Sequence, residues 1–302
     1  MKRSALRAGF AEAVVTEAIA DTPVTLIHGP RQCGTTTLAR MVGEPRGYPY
    51  LSFDSDDTLA QALYDPAGLA LDLPLRAILA EVQRVPGLFN ALKLVIDRDR
   101  IPGRFILTGS TNVLLVPALG DSLAGRMEIV RLHTFSQGEI SGRGASPFLD
   151  TLLSGRFRIR KYERLSGNLA ERIAAGGFPA PLERRSVARR AAWHRNYIAL
   201  LVQRDVKDLA RVRFLDDLPK LLEAAAVHSA QLFNLSKFAS AFQASRNTVR
   251  AYLALCWKGC SRSTCCDRGT AIAPSAWSRL PRSTWRIRES RAPYLASAPE
   301  DS

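Results

Sequence analysis

From Pro23 onward, short apolar runs alternate with stretches of helical spacing. Val24-Thr25-Leu26-Ile27 reads as a strand, and a glycine-bounded stretch then leads into a helix from Thr36 to Val42. Tyr50 to Phe53 predicts a second strand. Asp54, Asp56 and Asp57 behind it are placed to cap a helix that reaches Ala62 and Leu63. Leu75 to Leu79 predicts a third strand, Leu88 to Ile96 a helix, Arg104 to Thr108 a strong strand and Met127 to Leu132 a further one. Strands that alternate with helices build a mainly parallel sheet covered on both faces.

After Ser141 the strand signals fade. Glycines at 142, 144, 155, 167, 176 and 177 break up a segment that gives way to helical patterns over 184–213, 216–228 and 235–242. Leu235 to Ala239, Ala244 to Val249 and Tyr252-Leu253 have the helix, tight turn and second helix of a helix-turn-helix. From Cys256 the periodicity stops. Four of the five cysteines (256, 260, 265, 266) and three of the four tryptophans crowd into the last residues, as a shifted reading frame would produce. A zinc site is the competing reading, but adjacent cysteines suit tetrahedral ligation poorly, and no CxxC pair accompanies them.

With 302 residues and 46% hydrophobic content, the chain can bury one sizeable core and a smaller one. Its longest apolar stretch, Leu107 to Leu119, is interrupted well short of the roughly 20 residues of a membrane span, so a cytoplasmic protein with no membrane association is expected. The net charge of +14 is uneven: residues 141–215 carry +10, residues 256–302 carry +4, and the rest is balanced. Such a basic middle segment meets nucleic acid or phosphate, or is simply a solvated arginine-rich face. The histidines at 28, 133, 194 and 228 show no spacing for a triad or a metal, and no role is assigned to them.

The chemistry concentrates at Gly29-Pro30-Arg31-Gln32-Cys33-Gly34-Thr35-Thr36-Thr37, between the first strand and its helix. In a phosphate-binding loop of the form GxxxxGK followed by Ser or Thr, backbone N–H groups curl around the phosphates. The helix N-terminus adds its dipole, and the hydroxyl residue holds magnesium. Gly29, Gly34 and Thr36 retain these functions, but Thr35 stands where the pattern has lysine. That lysine supplies the charge that stabilises the transferring phosphoryl group. Nucleotide binding is therefore expected without efficient hydrolysis.

The segment from Gly29 to Leu38 resembles the GPRQVGKTTL loop of prokaryotic AAA-family ATPases that carry a C-terminal domain of unknown function. Further motifs of that family follow in order: Glu81-Val82-Gln83-Arg84-Val85-Pro86, Leu107-Thr108-Gly109-Ser110, Leu123-Ala124-Gly125-Arg126, Gly176-Gly177-Phe178-Pro179 and Arg204-Asp205-Val206. The resemblance runs from about Leu26 to Leu255 and ends before the tail. It implies ATP and Mg2+ as ligands, Glu81 as a vestigial general base, Ser110 and Asn112 as sensors of the terminal phosphate and Arg126 as a candidate arginine finger. It also implies that Ala80 stands where such ATPases have the magnesium-ordering aspartate.

The expected architecture is an α/β P-loop NTPase-like parallel sheet with helices on both faces, followed by a mostly helical and winged-helix-like region. The divisions are an N-terminal helix over 1–20, an ATPase-like domain over 21–140, a helical region over 141–230, a helix-turn-helix part over 231–255 and a disordered or frameshifted tail over 256–302. The expected function is that of a degenerate AAA-family ATP-binding protein with weak or absent hydrolysis, acting as a homo-oligomer or with a protein partner. The alternatives are a DNA-binding or docking module, with Arg246 and Arg250 facing DNA, and a non-functional truncated product.

Overall fold

The computed structural model describes residues 9–110, 122–143, 148–159, 166–201, 218–227, 235–242 and 245–250. Five strands form the sheet: β1 (Val24–Gly29), β2 (Tyr50–Ser52), β3 (Ala77–Ala80), β4 (Phe105–Ser110) and β5 (Met127–Arg131). Their order across the sheet is β2-β3-β4-β1-β5, and every pairing is parallel. The three central strands are buried at every position, which explains their continuous apolar runs.

Side chains alternate across a strand, so each strand feeds two cores. On one face Val24, Leu26, Leu79, Phe105 and Leu107 pack with Phe89, Leu92 and Ile96 of α5 (Leu88–Arg98). Two shorter helices, α3 (Asp56–Tyr64) and α4 (Pro66–Asp72), precede it in the chain, and Ala62 and Ala70 join the same core. On the other face Ile27, Ile78 and Ile106 pack with Val15 and Ile19 of α1 (Phe10–Asp21) and with Leu38 and Val42 of α2 (Thr35–Gly43). The two-sided α/β sheet predicted from the sequence is the one observed.

Local details differ from the sequence reading. The third strand starts at Ala77, where the Ala77 N–H bonds to the Arg104 carbonyl, and Leu75 is exposed. The N-cap of α3 is Ser55, with no side-chain capping bond. Asp56 and Asp57 lie in the first turn, where the helix dipole favours them, and Asp54 pairs instead with Arg84 at 3.1 Å.

Beyond β5 the described residues are helical: α6 (Gln137–Ile140), α7 (Phe148–Leu153), α8 (Ser166–Ala175), α9 (Pro179–Leu182), α10 (Val187–Leu201), α11 (Leu218–Val227) and α12 (Leu235–Ala241). Ser136 and Glu139 cap α6 reciprocally, and Glu139 Oε1 also accepts from the Phe10 N–H at 2.8 Å, which fastens the start of α1 there. Leu221, Ala239 and Val249 are buried together, so α11, α12 and the helical residues 246–250 form a small core of their own. Ser245 Oγ accepts from the Thr248 N–H at 3.0 Å and caps the second helix of the predicted helix-turn-helix. The predicted tail over 256–302 and the motif Arg204-Asp205-Val206 lie outside the described residues.

Candidate functional site

All strands of a parallel sheet point the same way, so their carboxyl ends share one edge, where α/β proteins place their ligands. Register fixes what meets there. Ile27 of β1, Thr108 of β4 and Ala80 of β3 form one row across the sheet, and Gly29 lies opposite Ser110 two residues further on. Ala80, Thr108 and Ser110 share the strand parity of Ile78 and Ile106, so all three face the side of the sheet covered by α2.

The loop leaves β1 at Gly29, where an added Cβ would collide with the Leu132 carbonyl, so glycine is required by packing alone. Pro30 accepts from the Cys33 N–H at 3.2 Å, closing a turn. Gln32 takes a left-handed φ of +63° and Gly34 a φ of +106°. Gly34 is the N-cap of α2, and among the described residues no side chain caps this helix. The Leu38 N–H is bonded to the Gly34 carbonyl, so the N–H groups of Thr35, Thr36 and Thr37 belong to the unladdered first turn. Backbone dipoles of this kind form an anion cradle.

Two further groups fit an anionic ligand. Ser110 is 8% exposed and its hydroxyl has no partner among the described residues, at the register position opposite the loop's first glycine. The buried Thr108 hydroxyl on the same face is also unsatisfied. Glu81, one residue past β3, is left-handed at φ +60°, and its carboxylate accepts from Gln83 Nε2 at 2.7 Å. Among the described residues only Gln32 and Glu81 adopt positive φ without being glycine, and both lie at this edge. Such backbone costs about 1 kcal/mol or more per residue and gathers at functional sites.

Arg31, half-buried, is the cation that the loop itself carries. Burial, with help from Arg131 and His133, lowers His28 to about 4, so this histidine beside Gly29 is neutral near pH 7. Burial raises the Cys33 thiol to about 12, which makes it a packing group rather than a nucleophile. Thr35 and Thr36 are half-buried at the helix start and Thr37 is exposed. A phosphate fits these donors. Magnesium fits them poorly, because its usual protein ligands are carboxylates and the position at the end of β3 is Ala80, 1% exposed. Thr36 offers one oxygen, and among the described residues no group of three or more His, Cys, Asp or Glu gathers to hold a metal.

Other predicted residues fall elsewhere. Arg126 precedes β5, and its carbonyl accepts from the Val24 N–H, so it stands at the opposite edge of the sheet, roughly 16 Å of strand away from the loop. Its guanidinium forks onto Asp97 at 2.6 and 2.8 Å, and these hydrogen bonds hold the Asp97 carboxyl below its usual range. It does not reach the cradle of its own chain. Asn112 lies outside the described residues.

Sequence reasoning missed Tyr197. Its hydroxyl donates to the Arg31 carbonyl at 3.2 Å, across 166 residues of sequence. No pattern could signal it, because the acceptor is backbone.

A glycine loop feeding an uncapped helix at the carboxyl edge of a five-stranded parallel sheet defines a P-loop NTPase-like fold. Residues 21–141 match the family described as AAA domain, and residues 166–256 match a domain of unknown function, DUF8612. The chain thus carries an AAA domain followed by a domain of unknown function. It is 30% identical over 244 residues to uncharacterized protein Rv2008c of Mycobacterium tuberculosis and likewise to uncharacterized protein Mb2031c of Mycobacterium bovis. The match covers 80% of this chain and 49% of each relative, so the chain spans about half the length of the curated relatives it matches.

Similar solved structures include the Walker-type ATPase PABY2304 of Pyrococcus abyssi, 15% identical with a TM-score of 0.45 over 82% of this chain and 88% of that one. AMPPCP-bound DnaA from Aquifex aeolicus is 15% identical, with a TM-score of 0.35 over 80% and 85%. The RuvB Holliday junction branch migration motor of Thermotoga maritima is 14% identical, with a TM-score of 0.36 over 89% and 92%.

Proposed function

We propose that this chain is a degenerate AAA-family nucleotide-binding protein that holds nucleotide phosphates in the cradle from Gly29 to Thr37 and hydrolyses them weakly or not at all. The observation that carries this reading is the convergence of the uncapped α2 N-terminus, the left-handed Gln32 and Gly34 and the unsatisfied Ser110 hydroxyl at one edge. The N–H groups of α2 and the Ser110 hydroxyl would donate to phosphate oxygens. Thr36 would place its oxygen where a nucleotide-borne cation sits.

ATP, when bound, supplies the phosphoanhydride that intact P-loop enzymes cleave. Here Thr35 brings no charge to the outer phosphates, and Ala80 brings none to a metal. Each missing contributor is worth on the order of 10² in rate, so removing both leaves little hydrolysis. Glu81 would serve as a vestigial general base, and its carboxylate is engaged by Gln83. An arginine-finger role for Arg126 requires a neighbouring copy of the chain, since its own cradle lies at the other edge.

Calorimetric titration with ADP and ATP tests the binding, and phosphate release tests the inactivity. Thr35→Lys combined with Ala80→Asp is expected to raise nucleotide affinity. Turnover by the unmodified chain at the rate of an intact P-loop ATPase, or no gain from the double change, overturns the reading.

A second reading rests on the helical end. Arg246 and Arg250 are exposed one turn apart on a helix whose Val249 is buried against α11 and α12, which is a helix anchored on one side and basic on the other. DNA binding there would weaken steeply with salt and be indifferent to nucleotide. Replacing both arginines with alanine should then abolish it and leave ADP binding intact.

A further inference from the structure

The phosphate loop is tied to the C-terminal region through a closed chain of contacts. Leu132, just past β5, donates its N–H to the His28 carbonyl at 2.8 Å, and its own carbonyl packs against Gly29. Three residues on, the Phe135 N–H bonds to the Gly177 carbonyl at 2.9 Å, in an approach so close that a Cβ at 177 would collide with Phe135. Phe178, 8% exposed, then meets Trp193 and Tyr197 of α10 at ring distances of 5.3 and 4.9 Å. Trp193 and Tyr197 stack 5.0 Å apart at 13°. Tyr197 closes the circuit with its bond to the Arg31 carbonyl.

That last bond acts on the cradle's shape. A trans peptide is planar, so its C=O and the following N–H point in opposite directions. A donor held on the Arg31 carbonyl therefore fixes which way the Gln32 N–H points, immediately before the left-handed turn at Gln32. The stacked rings in turn fix where the Tyr197 hydroxyl stands. We propose that Tyr197 is a positioning residue of the phosphate loop, through which ligand binding at the cradle and the packing of the Phe178, Trp193 and Tyr197 cluster are coupled. This inference rests on the reading of the loop as a phosphate site.

The test uses the 302-residue chain with Trp257, Trp277 and Trp285 changed to Phe, which leaves Trp193 as the one tryptophan. Trp193 emission is followed during ADP titration, the heat of binding is measured in parallel, and hydrogen exchange over residues 29–37 is compared with Tyr197→Phe in the absence of ligand. The expected result is an emission change with the same midpoint as the heat. In Tyr197→Phe, ADP should bind about fivefold more weakly, the emission response should disappear and exchange in the loop should quicken.

If ADP binds but Trp193 emission, loop exchange and the Tyr197→Phe affinity are all unchanged, the coupling is overturned and the nucleotide reading stands. If ADP fails to bind the unsubstituted chain while Tyr197→Phe still speeds loop exchange, the nucleotide reading falls and the positioning of the loop survives. Should Tyr197→Phe fail to fold, the emission titration of the parent protein still decides: silence at saturating ADP refutes the coupling.

Discussion

Lowering the pH should destabilise this protein through His28 by an amount the structure sets. His28 is 2% exposed in β1, neither ring nitrogen has a hydrogen-bond partner among the described residues, and its folded value is lowered from 6.5 to about 4, chiefly by burial and then by Arg131 and His133. Well above pH 6.5 the imidazole is neutral in both the folded and unfolded states, so it has no effect on stability. Between 6.5 and 4 the unfolded chain takes up the proton and the folded chain does not, so stability falls as pH falls, by up to about 1.36 kcal/mol per pH unit. The full span is worth about 3 kcal/mol, and about 2.5 kcal/mol of it is gone by about pH 4.5. A typical domain has roughly 5–15 kcal/mol in all. The assay is urea unfolding of the wild type and of His28→Leu at about pH 7.5 and about pH 4.5. Leucine does not titrate and continues the core of Leu26 and Leu107. The acid loss common to carboxylates cancels in the comparison, and the wild type should lose about 2.5 kcal/mol more than the variant. A difference below about 0.5 kcal/mol, or a His28 resonance that titrates near 6.5, refutes the reasoning.

Other expectations concern the cradle and its surroundings. Gly34→Val forces a branched side chain into φ +106° and should lower stability by about 1–2 kcal/mol and abolish ADP binding, read by urea unfolding and calorimetry. Chelating divalent metal should leave ADP affinity within about twofold, since protein carboxylates do not complete a magnesium site; a tenfold or larger dependence on Mg2+ would contradict the fit of donors described above. Arg126→Ala should break the fork onto Asp97 and lower the melting temperature at low salt, leaving ADP affinity unchanged because the residue stands at the far edge of the sheet.

Much of the sheet was legible because its central strands are buried on both faces and therefore read as unbroken apolar runs. Val24 to Ile27 and Arg104 to Thr108 are the clearest cases. The loop between β1 and α2 was legible because its backbone needs glycine at set points, a close approach at Gly29 and a left-handed turn at Gly34. What escaped depends on partners remote in sequence or on backbone atoms. Ser55, rather than the aspartates around it, stands at the N-cap of α3, and Asp54 pairs with Arg84, 30 residues away in sequence. The turn before Arg126 carries a family pattern, yet the pattern is silent about which edge of the sheet it occupies. Tyr197 was invisible for the same reason: a hydroxyl that binds a carbonyl leaves no mark in the types of residue around it.

Cys33 sits inside the glycine loop with its sulfur turned to the Leu132 carbonyl, at 3.9 Å, and its thiol held to about 12. At neutral pH only about one copy in 10⁵ carries the thiolate, the form that peroxides and alkylating reagents attack. The sulfur that the loop carries is therefore a poor target for oxidants, and its part there is to fill space against β5 rather than to react.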